Sequence, residues 1–306
     1  MRADEKDYRV WIRLGEAYSR SGRPAAALKA LNRAHELAPD EWTCVLFTAD
    51  VYRQMGLYET AISMLEQVLQ ARPYEVGILV ARAESHLALG RSEFAAGFQS
   101  RAEISWSNAI IAACSMLASA AGYKRIAWKT VADALFELSK ITSFTAMKEV
   151  SRAIQTLNSH FDDDALASDS NIASATALKQ IITDAAQDLR GKNVIWLAAA
   201  AYHIRIRLCE DDNELVAAAF YDYAVACHRL VSVCTAEETA LVLKEGMSSA
   251  KSALRHDPGN EACWNALGTI SFASNPMIAQ HSFIRAIELD QKVHDSPFGV
   301  RSVRDY

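Results

Sequence analysis

The stretch that decides the fold is "WIRLGEAYSRSGRPAAALKALNRAHELAP", residues 11–39. It contains a first block with two aromatics and a Leu-Gly pair at helical spacing, then a glycine, then a second block of small and large apolar residues. The pattern positions are Trp11, Leu14, Gly15, Tyr18, Ala27, Leu31, Ala34 and Pro39. Gly22 lies between the blocks and favours a turn, and Pro39 ends the second block. The stretch therefore predicts two antiparallel helices.

The pattern recurs with a shift of 34 residues. The second copy is Val45, Thr48, Ala49, Tyr52, Ala61, Leu65, Val68 and Pro73. The third copy is weaker: Leu79, Arg82, Ala83, His86, Ala95, Gln99 and Ala102. Gly22, Gly56 and Gly90 keep the same spacing, so we expect each to lie at a turn. Three copies in phase predict three tetratricopeptide repeats over residues 1–103.

The residue types explain how such repeats stack. Small side chains at Gly15, Ala27 and Ala34 let neighbouring helices approach closely, and large ones such as Trp11 and Leu31 fill the space between. A single helix pair cannot bury its apolar face alone, so neighbouring pairs must stack. We therefore predict an all-α fold, a tetratricopeptide-repeat α-solenoid that forms a right-handed superhelix of antiparallel helix pairs.

The remainder of the chain carries degenerate copies, which we place at residues 104–157 and 172–291. Trp106 is expected to open a helix, and Trp128 begins another with the repeat spacing. Trp196 is expected to begin a first helix, with residues 215–230 as its second helix. The last copy has Trp264, Leu267, Gly268, Ala279, Phe283 and Ala286, with Asn275-Pro276 starting its second helix.

Two segments do not fit the repeat. "NSHFDDDALASDSN", residues 158–171, is acidic and rich in serine, and predicts an exposed loop that divides the array into two halves. Residues 292–306 have no Trp-Leu-Gly continuation and are expected to be an irregular tail.

Composition excludes several classes of function. The chain of 306 residues has a net charge of −5 and a pI of about 5.9, with no basic stripe for direct binding of nucleic acid. Its longest apolar runs are too short or too polar to cross a membrane. The six cysteines show no C-x-x-C spacing, and no signal peptide precedes them, so we expect reduced thiols in the cytoplasm or the nucleus.

No residue is a candidate for catalysis, cofactor binding or metal binding. Phosphate-binding glycine loops and the H-E-x-x-H and G-x-S-x-G patterns are absent from the sequence. The adjacent acids of "HFDDD" (160–164) do not converge on one ion. His86 and His203 take the tyrosine position of the repeat, and five tryptophans follow its register, so we interpret all of them as packing residues.

Arrays of this type bind partners along an inner groove that the first helices line. The clamp that some of them use for chaperone C-terminal carboxylates needs Lys and Asn at set positions. The equivalent residues here are Ile12, Glu16, Leu46 and Asp50. We therefore expect no chaperone carboxylate clamp, but an apolar or basic peptide or a packed protein surface. The sequence does not assign individual partner-binding residues.

Two segments go beyond the generic repeat. "WNALGTISFASNPMIAQHSFIRAIELDQ" (264–291) and "AWKTVADALFEL" (127–138) resemble the tetratricopeptide scaffold subunit of the superkiller (Ski) complex. The resemblance implies a non-enzymatic scaffold that holds a DExH-box RNA helicase and β-propeller subunits, in a cytoplasmic assembly that feeds mRNA to the exosome for 3′-to-5′ decay. RNA would be contacted only indirectly, through the helicase. Members of that family are several times longer, so we expect a fragment or a truncated member.

Two alternatives remain open from the sequence. One is a generic tetratricopeptide adaptor in another assembly, such as a ubiquitin ligase or transport machinery. The other is an enzyme whose catalytic domain was lost with a truncated end, as in tetratricopeptide-bearing glycosyltransferases.

Overall fold

The computed structural model describes residues 7–119, 121–160, 180–185 and 193–294, and these contain helices and turns but no β-strand. The helices are α1 (Tyr8–Arg20), α2 (Pro24–Leu37), α3 (Trp42–Gln54), α4 (Tyr58–Ala71), α5 (Val76–Ala95), α6 (Gln99–Ser119), α7 (Lys124–Leu138), α8 (Met147–Thr156), α9 (Asn193–Leu208), α10 (Asn213–Val231), α11 (Ala236–His256), α12 (Glu261–Ser271) and α13 (Pro276–His294). Residues 180–185 are also helical.

The first helix pair shows how local sequence sets the repeat. The Asp7 carboxylate caps α1 by accepting a hydrogen bond from the Arg9 N–H at 2.9 Å. Gly22 has a φ of +70°, which an L side chain disfavours, and Gly56 repeats this conformation at +77° in the second pair. Helices α2 and α4 end at Leu37 and Ala71, just before the prolines at 39 and 73. The turns predicted at Gly22 and Gly56 are therefore confirmed.

Packing between pairs gives the array an inner and an outer side. Each first helix packs on its own second helix, and α1, α3, α5 and α7 also contact one another in sequence. Second helices of neighbouring pairs share no comparable contact in the described part of the chain. The first helices therefore line the inner face, and the second helices form the outer face.

The third pair is longer than predicted. Helices α5 and α6 have 20 and 21 residues, against 13 and 14 in each of the first two pairs. Each is therefore two helical turns longer. The turn lies at Gly97, with a φ of +86°, and Gly90 lies inside α5, so the prediction that Gly90 marks the turn was wrong. The predicted boundary at residue 103 falls within α6, and Trp106 lies in its middle instead of opening a helix.

Gly90 has a packing role that the corrected register explains. A Cβ atom at Gly90 would lie 2.4 Å from the Trp106 indole nitrogen, and one at Gly15 would lie 2.6 Å from Leu31. In the last pair, a Cβ at Gly268 would lie 2.6 Å from Phe283. The Leu-Gly pair of the repeat thus recurs at Leu89-Gly90, seven residues later than a fixed 34-residue shift places it. Ala102 is then the equivalent of Ala27 and Ala61.

The fourth pair consists of α7 and α9, with a long insertion where a short turn is expected. Helix α7 packs extensively on α9, and Arg125 near its start lies 3.8 Å from Asp212, just after α9 ends, so the two are antiparallel. Helix α8 packs instead on α6. The prediction that Trp196 opens a first helix was therefore wrong, because α9 occupies the second-helix position. The acidic segment 158–171 lies almost entirely outside the described residues, but it falls within a pair, not between two repeats.

The last two pairs are α10 with α11 and α12 with α13. Helix α10 contacts α12 as a neighbouring first helix, so the prediction that residues 215–230 form the second helix of the preceding repeat was wrong. The Asn275 side chain accepts a hydrogen bond from the Ile278 N–H at 3.2 Å and Pro276 begins α13, as predicted. Helix α13 continues to His294, into the segment expected to be irregular.

A buried carboxylate anchors the insertion to the array. Glu103 of α6 is 0% exposed and accepts hydrogen bonds from the Thr145 N–H at 2.9 Å and the Ala146 N–H at 2.5 Å. The Thr145 hydroxyl and the Gln99 amide also donate to it, at 3.2 and 2.8 Å. Ala146 is the N-cap of α8 and has no capping side chain of its own. Glu103 therefore supplies the cap of α8 from another helix.

His86 makes the stability of the array depend on pH. Its side chain is 9% exposed, its Nδ1 has no hydrogen-bond partner among the described residues, and burial lowers its pKa to about 4. The unfolded chain has a histidine pKa of about 6.5 and binds the proton first as pH falls. His86 therefore lowers stability progressively between about pH 6.5 and pH 4, by up to about 3 kcal/mol.

We expect His86→Leu to flatten the fall in unfolding free energy between pH 7 and pH 4.5, measured by urea denaturation at several pH values. Burial also lowers the pKa of His203 and of His228, so part of the slope will remain. His35→Leu, on an exposed position of α2, is the control and should keep the wild-type slope. If the unfolding free energy of His86→Leu fell with pH as steeply as that of the wild type, the lowered pKa of His86 would not be the cause of the fall.

Candidate protein-binding groove

The inner face carries one acidic side chain on each of its first three helices. Glu16 of α1 and Asp50 of α3 occupy the same repeat position, 34 residues apart, and Glu84 of α5 lies two helical turns before the equivalent position; all three are partly exposed. Arg20 lies 2.7 Å from Glu16, and Arg53 lies 2.5 Å from Asp50 and 3.8 Å from Glu84. The row therefore has three carboxylates and two guanidinium groups, which leaves an excess of negative charge.

Glu84 is the least compensated of the three acids. Burial raises its pKa, and the neighbouring Asp50 carboxylate adds to this effect, while Arg53 and Lys129 oppose it. A carboxylate whose ionised form is disfavoured by burial is stabilised when a further cation approaches. The acidic row thus suits a basic segment, which is one of the occupants that the sequence predicts for this groove.

A cavity of about 180 Å³ lies between α1 and α3 on the inner face. Gly15, Leu31, Phe47 and Val51 form its apolar floor, with Glu16 and Asp50 at its wall. The Ser19 hydroxyl donates to the Gln54 side-chain oxygen at 2.7 Å across it. Two of the four positions compared with the chaperone clamp, Glu16 and Asp50, therefore face one cavity, and both are acidic.

A second inner-face cavity, of about 260 Å³, lies between α10 and α12. Its polar side chains are Tyr221, His228, Asn265 and Thr269, and alanines form much of the remaining wall. Asn265 is the residue after Trp264, just as Ile12 is the residue after Trp11. It therefore occupies one of the positions at which the chaperone clamp has Lys or Asn, in a repeat beyond the two that the sequence analysis compared with the clamp. The signal was available, because the Trp-Leu-Gly register of the last repeat places this asparagine on the groove.

Between these cavities, a polar network joins three first helices to α9. The Tyr202 hydroxyl donates to Asp133 at 2.7 Å, and Lys129 lies 2.8 Å from the same carboxylate. Arg91 of α5 reaches Glu137 of α7 at 2.9 Å. Burial first, and the Asp133 charge next, raise the pKa of Tyr202 well above its usual value, so the hydroxyl stays protonated as a donor. Arg205 and Asp222 form a buried ion pair beside it.

The aromatic and thiol side chains are used for packing. Trp106 and Trp128 are 0% and 4% exposed, and Trp11 and Trp196 are partly buried against core clusters. All six cysteines are free and five are buried. Burial raises the pKa of Cys114 to about 11 and the pKa values of Cys227 and Cys263 to about 12, so these thiols are protonated and unreactive at neutral pH.

Two further properties concern the described residues alone. They contain no group of three or more His, Cys, Asp or Glu side chains placed to hold a metal ion. No helix among them is long and apolar enough to cross a membrane. The "HFDDD" segment lies outside these residues apart from His160.

The helix pairs and the inner groove define the class of protein. The tetratricopeptide repeat family matches at residues 8–41 and again at residues 45–75, which correspond to the first two pairs. The chain is an all-α tetratricopeptide-repeat solenoid.

The chain is also homologous to superkiller protein 3 over about nine tenths of its length. It is 29% identical to superkiller protein 3 of Schizosaccharomyces pombe over 282 residues, which is 88% of this chain and 19% of that protein. It is 26% identical to tetratricopeptide repeat protein 37 of Xenopus laevis and 25% identical to superkiller complex protein 3 of Mus musculus, over 95% and 93% of this chain and 17% of each relative. The chain thus spans about a fifth of the length of these relatives.

Among solved structures, the chain is similar to the TPR2AB-domain:pHSP90 complex of yeast Sti1. The identity is 18% and the TM-score is 0.31, with 94% of this chain and 92% of that chain covered.

Proposed function

We propose that this chain is a non-enzymatic protein-interaction scaffold of a Ski-like complex that supports exosome-mediated 3′-to-5′ decay of mRNA in the cytoplasm. The observation that carries the proposal is the extent of the homology. The generic repeat matches end at residue 75, whereas the similarity to superkiller protein 3 extends over 282 residues. Similarity that came only from the generic repeat pattern would be concentrated in the regular first two helix pairs and would not extend over the irregular pairs that follow.

The partners proposed are a DExH-box RNA helicase and β-propeller subunits, with RNA contacted only through the helicase. The acidic row on the inner face and the pI of about 5.9 support protein binding over direct RNA binding, because RNA affinity depends on neutralising phosphates with Lys and Arg. The absence of reactive thiols among the buried cysteines agrees with a structural role for these side chains.

Affinity purification of the tagged full chain from its native cells, at near-physiological salt and with mass spectrometry of the partners, tests the proposal. We expect a helicase and β-propeller subunits to co-purify. A different stable set of partners would support the generic adaptor instead. ATP hydrolysis by the purified chain alone would contradict the non-enzymatic assignment.

A matched pair of variants tests whether the inner face does the binding. Glu16 on α1 and Glu36 on α2 each form an ion pair of 2.7 Å with an arginine of the same helix, but only Glu16 lies on the inner face. We expect Glu16→Lys combined with Asp50→Lys to reduce partner recovery about tenfold, and Glu36→Lys to leave it unchanged. Equal recovery from both variants would place the binding surface elsewhere.

A further inference from the structure

A cavity of about 660 Å³ lies at the edge of the solenoid opposite the glycine turns, where α4 ends and α5 begins. Leu69 and Tyr74 border it on one side, Leu79 and Arg82 of α5 on the second, and Ser115 and Ser119 of α6 on the third. It is separate from the inner-face cavities, because none of these residues lines either of those.

The extra length of the third helix pair creates this cavity. Counted from the turn at Gly97, residues 76–82 of α5 and residues 113–119 of α6 have no counterpart in the first two pairs. Leu79, Arg82, Ser115 and Ser119 all belong to these added turns. The added turns project beyond α4 and form a wall against Tyr74, whose side chain is 78% exposed. The regular repeat has no such wall.

Arg82 gives the cavity its charge. Its Nε is buried without a hydrogen-bond partner, and the guanidinium forms no ion pair within 4.0 Å among the described residues. Glu66 acts on it only from a longer distance. An arginine remains ionised in a protein, so a buried and unsatisfied donor of this kind raises the free energy of the empty site.

We propose that this cavity binds an acidic segment of a partner protein, with a carboxylate on Arg82 and an adjacent apolar side chain between Leu69, Leu79 and Tyr74. Arg82 is the one charged residue among the described residues that line the cavity. One guanidinium matches one carboxylate, which it can hold by two parallel hydrogen bonds. A nucleic acid would need several cations in a row.

The end of α6 favours a peptide over a free anion. The last four carbonyl groups of a helix have no N–H donor within it and carry partial negative charge. The Ser115 and Ser119 hydroxyls donate to carbonyls of their own helix, at 3.1 and 2.8 Å, and so present oxygen acceptors to the cavity. A ligand must therefore combine an anionic group for Arg82 with N–H donors for α6, as a peptide backbone does.

This inference stands apart from the proposed function, because it concerns an edge of the array and not its inner face. It assigns a second binding surface to the chain, whichever assembly the chain belongs to. The apolar walls and the volume suit a short extended segment.

The test uses the full chain and two pools of N-acetylated, C-amidated hexapeptides, with a fixed central Glu in one pool and Gln in the other and randomised apolar flanking residues. Affinity selection followed by mass spectrometry measures enrichment. We expect the Glu pool to be enriched on the wild-type chain, and the best peptide to lose about tenfold or more in affinity with Arg82→Gln. Arg33→Gln, at an exposed arginine on α2, is the matched control and should bind as the wild type does.

Tyr74→Ala provides a second variant that does not depend on the buried arginine. Because Tyr74 is 78% exposed, this change should weaken binding several-fold while leaving the melting temperature unchanged. Equal enrichment of the two pools on the wild-type chain would overturn the proposal, as would binding that survives both variants. Preferential selection of a phosphoserine pool or of a 12-nucleotide RNA would replace the carboxylate with a phosphate ligand and overturn it as well.

Discussion

Replacing Gly90 by alanine is expected to destabilise the chain by about 1–3 kcal/mol, the typical range for overpacking a buried site. The direction is opposite to that at an ordinary helical glycine, where alanine gains up to about 1 kcal/mol from helix propensity. The reason is the indole of Trp106, which is 0% exposed and would lie 2.4 Å from the new Cβ atom. A buried tryptophan cannot move away without shifting α6 from α5.

Gly77→Ala is the matched control, because Gly77 lies in the same helix and its Cβ would meet Trp42 at 3.4 Å. We expect it to change the unfolding free energy by less than about 1 kcal/mol. Urea denaturation of both variants measures the difference. If Gly90→Ala were as stable as Gly77→Ala, the packing of α5 on Trp106 would not be as described.

Replacing Glu103 by alanine is expected to cost about 3 kcal/mol and to release α8 from α6. The change removes the acceptor of two backbone N–H groups, those of Thr145 and Ala146, and leaves the donor of the buried Ala146 unsatisfied. It also removes the charge that caps α8. Glu103→Gln keeps one acceptor oxygen and should cost less.

Hydrogen exchange separates a local effect from a global one. We expect amide protection in α8 to fall sharply in Glu103→Ala, while protection in α1 to α4 stays near that of the wild type. Glu149→Ala, an exposed acid in the first turn of α8, is the control and should cost less than about 1 kcal/mol. Unchanged protection of α8 in Glu103→Ala would show that apolar packing alone holds the insertion in place.

The candidate groove was partly predictable from the sequence. The repeat register places Glu16 and Asp50 on the inner face, and the structure brings both to one cavity. Asn265 was missed because the comparison with the clamp covered only the first repeats. Arg82 was interpreted as a repeat position, and nothing in its local sequence shows that its guanidinium remains unpaired, since that depends on how α4 and α6 end.

The sequence by itself determined the helix pairs that follow the regular repeat, because small and large residues at fixed spacing, a glycine turn and a following proline act within about 34 residues. Tertiary structure decided which helices pair where that spacing changes. The two-turn extension of α5 and α6 moves the turn from Gly90 to Gly97, and α9 packs on α7 across the insertion, although its tryptophan spacing resembles that of a first helix. Local spacing specifies a helix and its apolar face. Which other helix covers that face depends on how segments that are distant in the sequence pack together to bury it.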